Sequence, residues 1–121
     1  MSLVLGKKLR NNALAREAAT IIDTCVSCGL CMVNCPTFRL LQDDWDSPRG
    51  RINLMKEMLA DQPPSADLQL HLDRCLTCCS CEAMCPEGVR FGRLLDVTRE
   101  MIEPAARRPL RERLLRCALR A

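Results

Sequence analysis

Two cysteine-rich runs of the same design decide the fold of this chain. The first reads Cys25-Val26-Ser27-Cys28-Gly29-Leu30-Cys31-Met32-Val33-Asn34-Cys35-Pro36, and the second reads Cys75-Leu76-Thr77-Cys78-Cys79-Ser80-Cys81-Glu82-Ala83-Met84-Cys85-Pro86. Both follow the pattern C-x₂-C-x₂-C-x₃-C-P, and every cysteine that fills it in the second run lies 50 residues after its counterpart. The chain is therefore an internal duplication in its cysteine skeleton.

The spacing within each run is typical of an iron–sulfur cube. Three thiolates at positions i, i+3 and i+6 can wrap one loop around three corners of a compact cluster, and the proline keeps the fourth cysteine out of helical backbone. In bacterial two-cluster ferredoxins, the fourth cysteine of each run ligates the other cluster. We therefore predict two 4Fe-4S clusters with crossed ligation. Cluster 1 is assigned to Cys25, Cys28, Cys31 and Cys85, and cluster 2 to Cys75, Cys78, Cys81 and Cys35.

Zinc binding and disulfide formation are the two alternative uses of these cysteines. Zinc sites also use C-x₂-C pairs, usually as two separated pairs, so a zinc-stabilised structural module is the alternative from another functional class. Disulfides are disfavoured because the cytosol keeps thiols reduced. We expect no export, since Leu3-Val4-Leu5 is too short for the apolar region of a secretory signal.

The composition agrees with metal sites that help to hold a small core together. Ten of the 121 residues are Cys, whereas the aromatic residues are two Phe and one Trp. Small domains bury proportionally little surface, and crossed ligation would tie the two halves together through metal. A hydrophobic content of 48% excludes a disordered chain. No apolar run approaches the roughly 18 residues of a membrane-spanning helix.

The sequence shows no catalytic constellation of its own. Neither a Ser-His-Asp or Cys-His grouping nor a phosphate loop or dinucleotide fingerprint is present, so the implied chemistry is one-electron transfer. Residues 104–121 carry six Arg and one Glu. Without aromatic stacking residues or a nucleic-acid motif we expect no nucleic-acid partner. We interpret this basic segment as a helix that docks onto a further domain or a partner subunit.

Between the cysteine runs the pattern is helical, because Leu and Ala are abundant and β-branched residues are scarce. The spacing of apolar residues predicts helices over residues 7–22, from Pro48 to about Ala60, from Ser65 to the second run, over 90–103, and from about Pro109 onward. The expected fold is all-α. An alpha-helical ferredoxin-like domain at residues 1–104 holds both clusters, and a basic helix follows at residues 105–121.

Two cysteines fall outside the ligand pattern. Cys79 is expected to be a small, buried or reduced thiol beside a cluster, because its use as a ligand would break the spacing that the first run matches. Cys117 is expected to be a spectator thiol. We also expect His71 to be a surface histidine, and Trp45 to pack locally in its acidic loop rather than to mark a docking surface.

Other residues near the runs have supporting roles. Gly29 is expected to permit a tight loop, and Pro36 and Pro86 to orient the fourth ligands. Four arginines lie near the motifs: Arg49, Arg51, Arg74 and Arg90. They either offset cluster charge, bind a partner or form ordinary surface salt bridges.

Four stretches in and around the runs carry a family resemblance. They read Asp46-Ser47-Pro48-Arg49-Gly50-Arg51-Ile52, His71-Leu72-Asp73-Arg74-Cys75-Leu76-Thr77-Cys78, Cys85-Pro86-Glu87-Gly88-Val89-Arg90-Phe91 and Arg108-Pro109-Leu110-Arg111-Glu112-Arg113. With them the chain resembles the iron–sulfur subunits of bacterial glycolate oxidase (glycolate dehydrogenase). The wider family includes the iron–sulfur subunits of lactate-utilisation, anaerobic glycerol-3-phosphate dehydrogenase and heterodisulfide reductase systems. The resemblance covers the N-terminal part of that family's subunit.

The resemblance implies a place in a larger complex. A flavin-bearing subunit would oxidise glycolate to glyoxylate, and this chain would carry electrons singly from such an FAD-containing dehydrogenase subunit towards a quinone or another membrane acceptor. The resemblance also implies a cytoplasmic location, peripheral on the inner face of the cytoplasmic membrane. The paired CCG-type motifs of the family's second domain are absent, because Ser80 follows Cys78-Cys79. Residues 105–121 are therefore expected to begin that cysteine-rich domain. A truncated fragment without a redox partner is the remaining alternative.

Overall fold

The computed structural model describes residues 2–120, and their regular structure is helical throughout. The α-helices are α1 (Ala13–Asp23), α2 (Pro36–Leu41), α3 (Pro48–Leu59), α4 (Ala66–Arg74), α5 (Ser80–Met84), α6 (Phe91–Ile102) and α7 (Leu110–Arg120). Short 3₁₀ turns lie at Leu30–Met32, Asp44–Asp46 and Glu103–Ala105. No strand forms within residues 2–120, so the all-α prediction is confirmed.

Side-chain caps set the starts of the long helices. The Ser47 hydroxyl accepts the Gly50 N–H at 2.9 Å and begins α3, with Pro48 in its first turn. The Ser65 hydroxyl accepts the Leu68 N–H at 3.0 Å and begins α4. The predicted start of the first helix was wrong, because α1 begins six residues later than residue 7. The Asn12 side chain there accepts the N–H groups of the first turn.

The apolar core lies where α1, α3, α4 and α6 meet. Helices α1 and α6 pack against each other, and α3 contacts both α1 and α4. Each contributes one apolar face at helical spacing. The fully buried apolar residues are Ala15, Ala18, Met55, Leu59, Leu72, Leu94, Leu95 and Val97. Four cysteines of the two runs, Cys25, Cys75, Cys81 and Cys85, are partly buried and pack against this core.

The last helix, α7, is attached by charge rather than by apolar packing. None of its described residues is buried, and Leu110, Leu114 and Leu119 are 62–78% exposed. The Arg108 guanidinium, just before the helix, binds the Asp73 carboxylate of α4 at 2.7 Å. Within residues 2–120, no helix combines the length and the apolar character that crossing a bilayer requires.

Candidate metal centre

The two cysteine loops have left-handed residues at matching positions. Ser27 and Thr77, which are counterparts in the duplication, have φ values of 57° and 58°. The next pair, Gly29 and Cys79, also lies in the left-handed region, with φ values of 78° and 57°. The expectation that Gly29 permits a tight loop is confirmed, since this region favours glycine. Because Cys79 occupies the place of Gly29 in the repeat, it has no counterpart among the ligand cysteines.

Each loop borders its own cavity, and the fourth cysteine of the other run borders it too. The cysteines that line the first cavity are Cys25, Cys28, Cys31, Cys81 and Cys85. The cysteines that line the second cavity are Cys35, Cys75, Cys78, Cys79 and Cys81. The structure thus brings together both sets of four predicted ligands. Pro48, Cys81 and Phe91 border both cavities.

The residues around each cavity fit an iron–sulfur cluster. Soft thiolates are the ligands that such clusters select. A single tetrahedral zinc, with sulfurs about 2.3 Å from the metal, requires those sulfurs to lie about 3.8 Å apart. Among the described residues, one group of three possible metal ligands has its ligand atoms within 4.8 Å of one another. It consists of Asp43, Asp46 and His71 and contains no cysteine. The wider spread of the thiols suits a multinuclear cluster better than one zinc ion.

The two fourth cysteines have different surroundings. Cys35 is 6% exposed, and its Sγ lies 3.2 Å from the Thr37 hydroxyl and 3.7 Å from the Arg51 Nη1 that donates to it. Its counterpart Cys85 is half-buried and accepts the Val89 N–H at 3.4 Å. Both have extended backbone immediately before a proline, as predicted. The two binding sites are therefore similar in backbone and unequal in charge.

A buried charged network stands behind Cys35. The Asp46 carboxylate is fully buried, and it accepts hydrogen bonds from His71 Nδ1 at 2.7 Å and from Arg74 Nη1 at 2.9 Å. Arg51 Nη2 lies 3.6 Å from the same carboxylate. Burial alone would raise the pKa of Asp46, but the hydrogen bonds from His71 and Arg74 outweigh it and lower that pKa. Its lowered pKa keeps Asp46 ionised at neutral pH, where it pairs with the arginines around it.

The expectation that His71 lies on the surface was wrong. Its side chain is 7% exposed, because it lies on the face of α4 that packs against the 3₁₀ turn containing Asp46. Trp45 in that turn is 44% exposed, so local packing covers about half of it. Cys79 borders the second cavity as expected, but it is exposed rather than buried. Cys117 is also exposed.

The arginines near the runs differ in their surroundings. Arg51 is 1% exposed, whereas Arg74 has 41% of its side chain exposed and forms an ion pair with Asp46. Arg49 is half-buried and borders the first cavity, and Arg90 is exposed. A fifth arginine, Arg99 of α6, donates to the carbonyls of Leu72 and Cys75 and to the Thr77 hydroxyl, at 2.8 to 3.1 Å. It thereby braces the start of the second cysteine loop.

Sequence reasoning missed three of these residues. Thr37, Asp46 and Arg99 act across 9 to 28 residues of sequence. For Asp46 the available signal was its place beside Ser47 and Pro48, which start a helix between the two runs. For Thr37 and Arg99 no pattern in the sequence pointed to the cavity.

The thiols of the second loop differ in acidity. Hydrogen bonds from the Ser80 side chain and backbone lower the pKa of Cys78, and the nearby Arg51 charge acts in the same direction. Burial raises the pKa of Cys81 to about 12, with nearby thiols adding to the shift. Cys78 is therefore the more readily ionised thiol before any metal binds.

Comparisons with known proteins agree with this geometry. The model of the 4Fe-4S dicluster domain family matches residues 21–89. The chain is 49% identical to the glycolate oxidase iron-sulfur subunit of Escherichia coli (strain K12), over 99% of this chain and 30% of that protein. It is 36% identical to the probable glycolate oxidase iron-sulfur subunit of Bacillus subtilis (strain 168), over 91% of this chain and 25% of that protein. No solved structure is significantly similar.

The chain spans less than a third of the length of these relatives. The family match itself covers more than half of the chain and includes both cysteine runs. The chain therefore belongs to the 4Fe-4S dicluster domain family and carries iron–sulfur clusters.

Proposed function

We propose that this chain is an electron-transfer module that holds two 4Fe-4S clusters with crossed ligation. The observation that carries the proposal is the arrangement of thiols, since each cavity is bordered by the first three cysteines of one run and the fourth of the other. When bound, such clusters accept and release single electrons. The protein's own residues would hold the clusters, and Pro48, Cys81 and Phe91 border both sites.

The partner that we propose is an FAD-containing dehydrogenase subunit that oxidises a 2-hydroxy acid such as glycolate. The support is the identity of 49% to a glycolate oxidase iron-sulfur subunit. Electrons would leave one at a time towards a quinone or another membrane acceptor, with the chain in the cytoplasm and peripheral on the inner face of the membrane. No group of the chain would contact the organic substrate.

Helix α7 is proposed to pack against a further, cysteine-rich domain rather than to belong to the cluster domain of residues 1–104. Its leucines are 60–78% exposed, and contiguous exposed apolar faces of this kind mark interaction sites. The matched relatives extend well beyond the region that they share with this chain. Residues 105–121 would then form the junction between the two domains.

A pair of double variants tests the crossed ligation. Cys35→Ala with Cys75→Ala removes two ligands from one cluster if ligation is crossed, so about four irons should remain in one fully liganded site. Cys35→Ala with Cys25→Ala removes one ligand from each cluster, so neither site stays complete. Iron and sulfide analysis and EPR spectra of the anaerobically reconstituted protein measure the outcome. If the second pair keeps a complete cluster and the first does not, ligation is sequential and the proposal is wrong.

The unmodified chain tests the cofactor count. Anaerobic purification should give a brown protein with about eight irons and eight sulfides per chain. A colourless protein that contains zinc would refute the proposed function. For the partner, affinity capture of the tagged chain with purified FAD-containing 2-hydroxy-acid dehydrogenase subunits should give a complex in which the bound flavin, once reduced by glycolate, reduces the clusters.

A further inference from the structure

The second cavity contains a buried cation that is held in one orientation. The Arg51 side chain is 1% exposed, and each nitrogen of its guanidinium has its own partner. Nε donates to the His71 carbonyl at 2.8 Å, and Nη2 donates to the Thr37 hydroxyl at 3.0 Å. Nη1 donates to Cys35 Sγ at 3.7 Å. Since arginine remains protonated at every accessible pH, a full positive charge lies next to this ligand sulfur.

Among the described residues, Arg51 is the one ionic side chain, apart from the thiols, that lines this cavity. Asp46 is the buried carboxylate, and it is shared between Arg51 at 3.6 Å and Arg74 at 2.9 Å. Arg99 adds another guanidinium at the loop of Cys75. On the opposite side, the half-buried Glu82 of α5 directs its carboxylate to the Gly92 N–H at 3.0 Å. Asp96 is a further carboxylate on this side of the molecule, close enough to act on Cys79. Since none of these other groups lines the cavity, the charge that borders it directly is that of Arg51.

The first cavity lacks a matching arrangement among the described residues. Its arginine, Arg49, is only half-buried, and the exposed Glu87 borders the same cavity. Glu87 stands 50 residues after Thr37, so the duplication has an acid where the second cavity has a hydroxyl. The fourth ligand here, Cys85, accepts a neutral backbone N–H from Val89.

This difference bears directly on redox potential. Reduction adds a negative charge to the site, and a nearby cation or a hydrogen bond to a ligand sulfur stabilises that charge. A buried cation is screened less than an exposed one. We propose that Arg51, assisted by Thr37, makes the cluster at Cys75, Cys78, Cys81 and Cys35 the higher-potential site of the two. The inference rests on the proposed function, because it requires both clusters.

The direction of electron transfer follows from this assignment. With both clusters bound, one electron would move from the cluster held by Cys25, Cys28, Cys31 and Cys85 to the cluster held by Cys75, Cys78, Cys81 and Cys35, so the first would be oxidised and the second reduced by one electron. Arg51 would supply no proton to this transfer, because a guanidinium stays charged. Arg51 would act as a positioning residue through the Cys35 sulfur, and the second site would be the one from which electrons leave.

Redox titration followed by EPR tests the role of Arg51. In the two-cluster protein we expect two reduction steps, and in the Cys25→Ala/Cys85→Ala variant, which retains the second site, we expect the higher of the two. Arg51→Met should lower the one-electron equilibrium constant for reduction of the second site at least tenfold. This corresponds to a reduction potential that is lower by at least about 59 mV. Arg51→Lys keeps the charge and should recover at least half of the shift.

Two further variants keep the test decisive. Arg49→Met is the matched change at the first site and should leave the potential of the second within twofold in the equilibrium constant. Thr37→Val removes a hydroxyl without removing a buried charge, and it should lower the potential of the second site by a smaller amount than Arg51→Met does. It therefore tests the site if Arg51→Met does not fold. The idea is overturned if the second site has the lower potential, or if Thr37→Val and any folded Arg51 variant leave its potential unchanged. Iron content near eight in the unmodified chain separates that failure from a failure of the proposed function.

Discussion

Replacement of Asp46 by Asn should destabilise the protein severely. The change is nearly isosteric, so its effect is electrostatic. At 3.6 Å from Arg51, the carboxylate attracts the buried guanidinium by about 4.6 kcal/mol at an effective dielectric constant of about 20. The pair with Arg74 is partly exposed and adds only about 0.5–1 kcal/mol. Removing the carboxylate leaves Arg51 charged and buried, and breaking a buried pair in this way typically costs about 3–5 kcal/mol.

Thermal unfolding of the anaerobically loaded protein, followed by far-UV circular dichroism, measures this loss. For a chain of this length, about 3–4 °C is lost per kcal/mol, so the midpoint of Asp46→Asn should fall by about 10–20 °C at one fixed scan rate. Asp43→Asn is the matched control. Its side chain accepts the Trp45 N–H at 3.0 Å, and it should cost no more than about 1 kcal/mol. An Asp46→Asn midpoint within about 3 °C of the unmodified protein would show that Asp46 does not hold the cations.

Three further perturbations probe other parts of the molecule. Gly50→Ala should lower the unfolding midpoint more than Gly88→Ala, because a Cβ at Gly50 collides with the backbone of the preceding 3₁₀ turn. A Cβ at Gly88 meets no other atom, so that substitution costs only about 1–2 kcal/mol through its φ of 67°. Equal shifts of the midpoint would contradict this packing. In the cluster-free chain, iodoacetamide at pH 8 should label Cys78 well before Cys81, whose pKa of about 12 keeps it a thiol; peptide mass spectrometry gives the order, and equal rates would contradict it. Arg108→Met should release α7, since this 6% exposed side chain pairs with three carboxylates. We expect faster hydrogen exchange in residues 110–120 with unchanged iron content. Unchanged exchange would mean that Arg108 does not hold α7 against the rest of the protein.

The helices were largely predictable because their signals are local. Ser47 and Ser65 cap the helices that follow them, and Pro48 and Pro104 lie where the pattern placed a start and a stop. The prediction of the first helix was wrong at its start, and the reason is equally local. The Asn12 side chain accepts the first backbone N–H groups of α1, so the helix begins at Ala13, immediately after Asn12.

The two cysteine runs could be recognised in the sequence, because thiol spacing and the proline that follows lie in nearby residues. The duplication places Cys79 opposite Gly29, and the structure gives both a left-handed backbone. The crossed assignment of Cys35 and Cys85 remains a prediction for the double variants. The two cavities supply the geometry on which that experiment depends.

The sequence by itself determined the helical class and the repeated cysteine skeleton, because each follows from patterns among nearby residues. Tertiary structure alone decided that the two sites are unequal. It buries Arg51 beside Cys35, 16 residues away, and it pairs Asp46 with His71, 25 residues away. A charged side chain that water surrounds in an isolated helix is strongly screened. It acts strongly on its neighbours only when packing removes that water. No pattern along the chain encodes that removal.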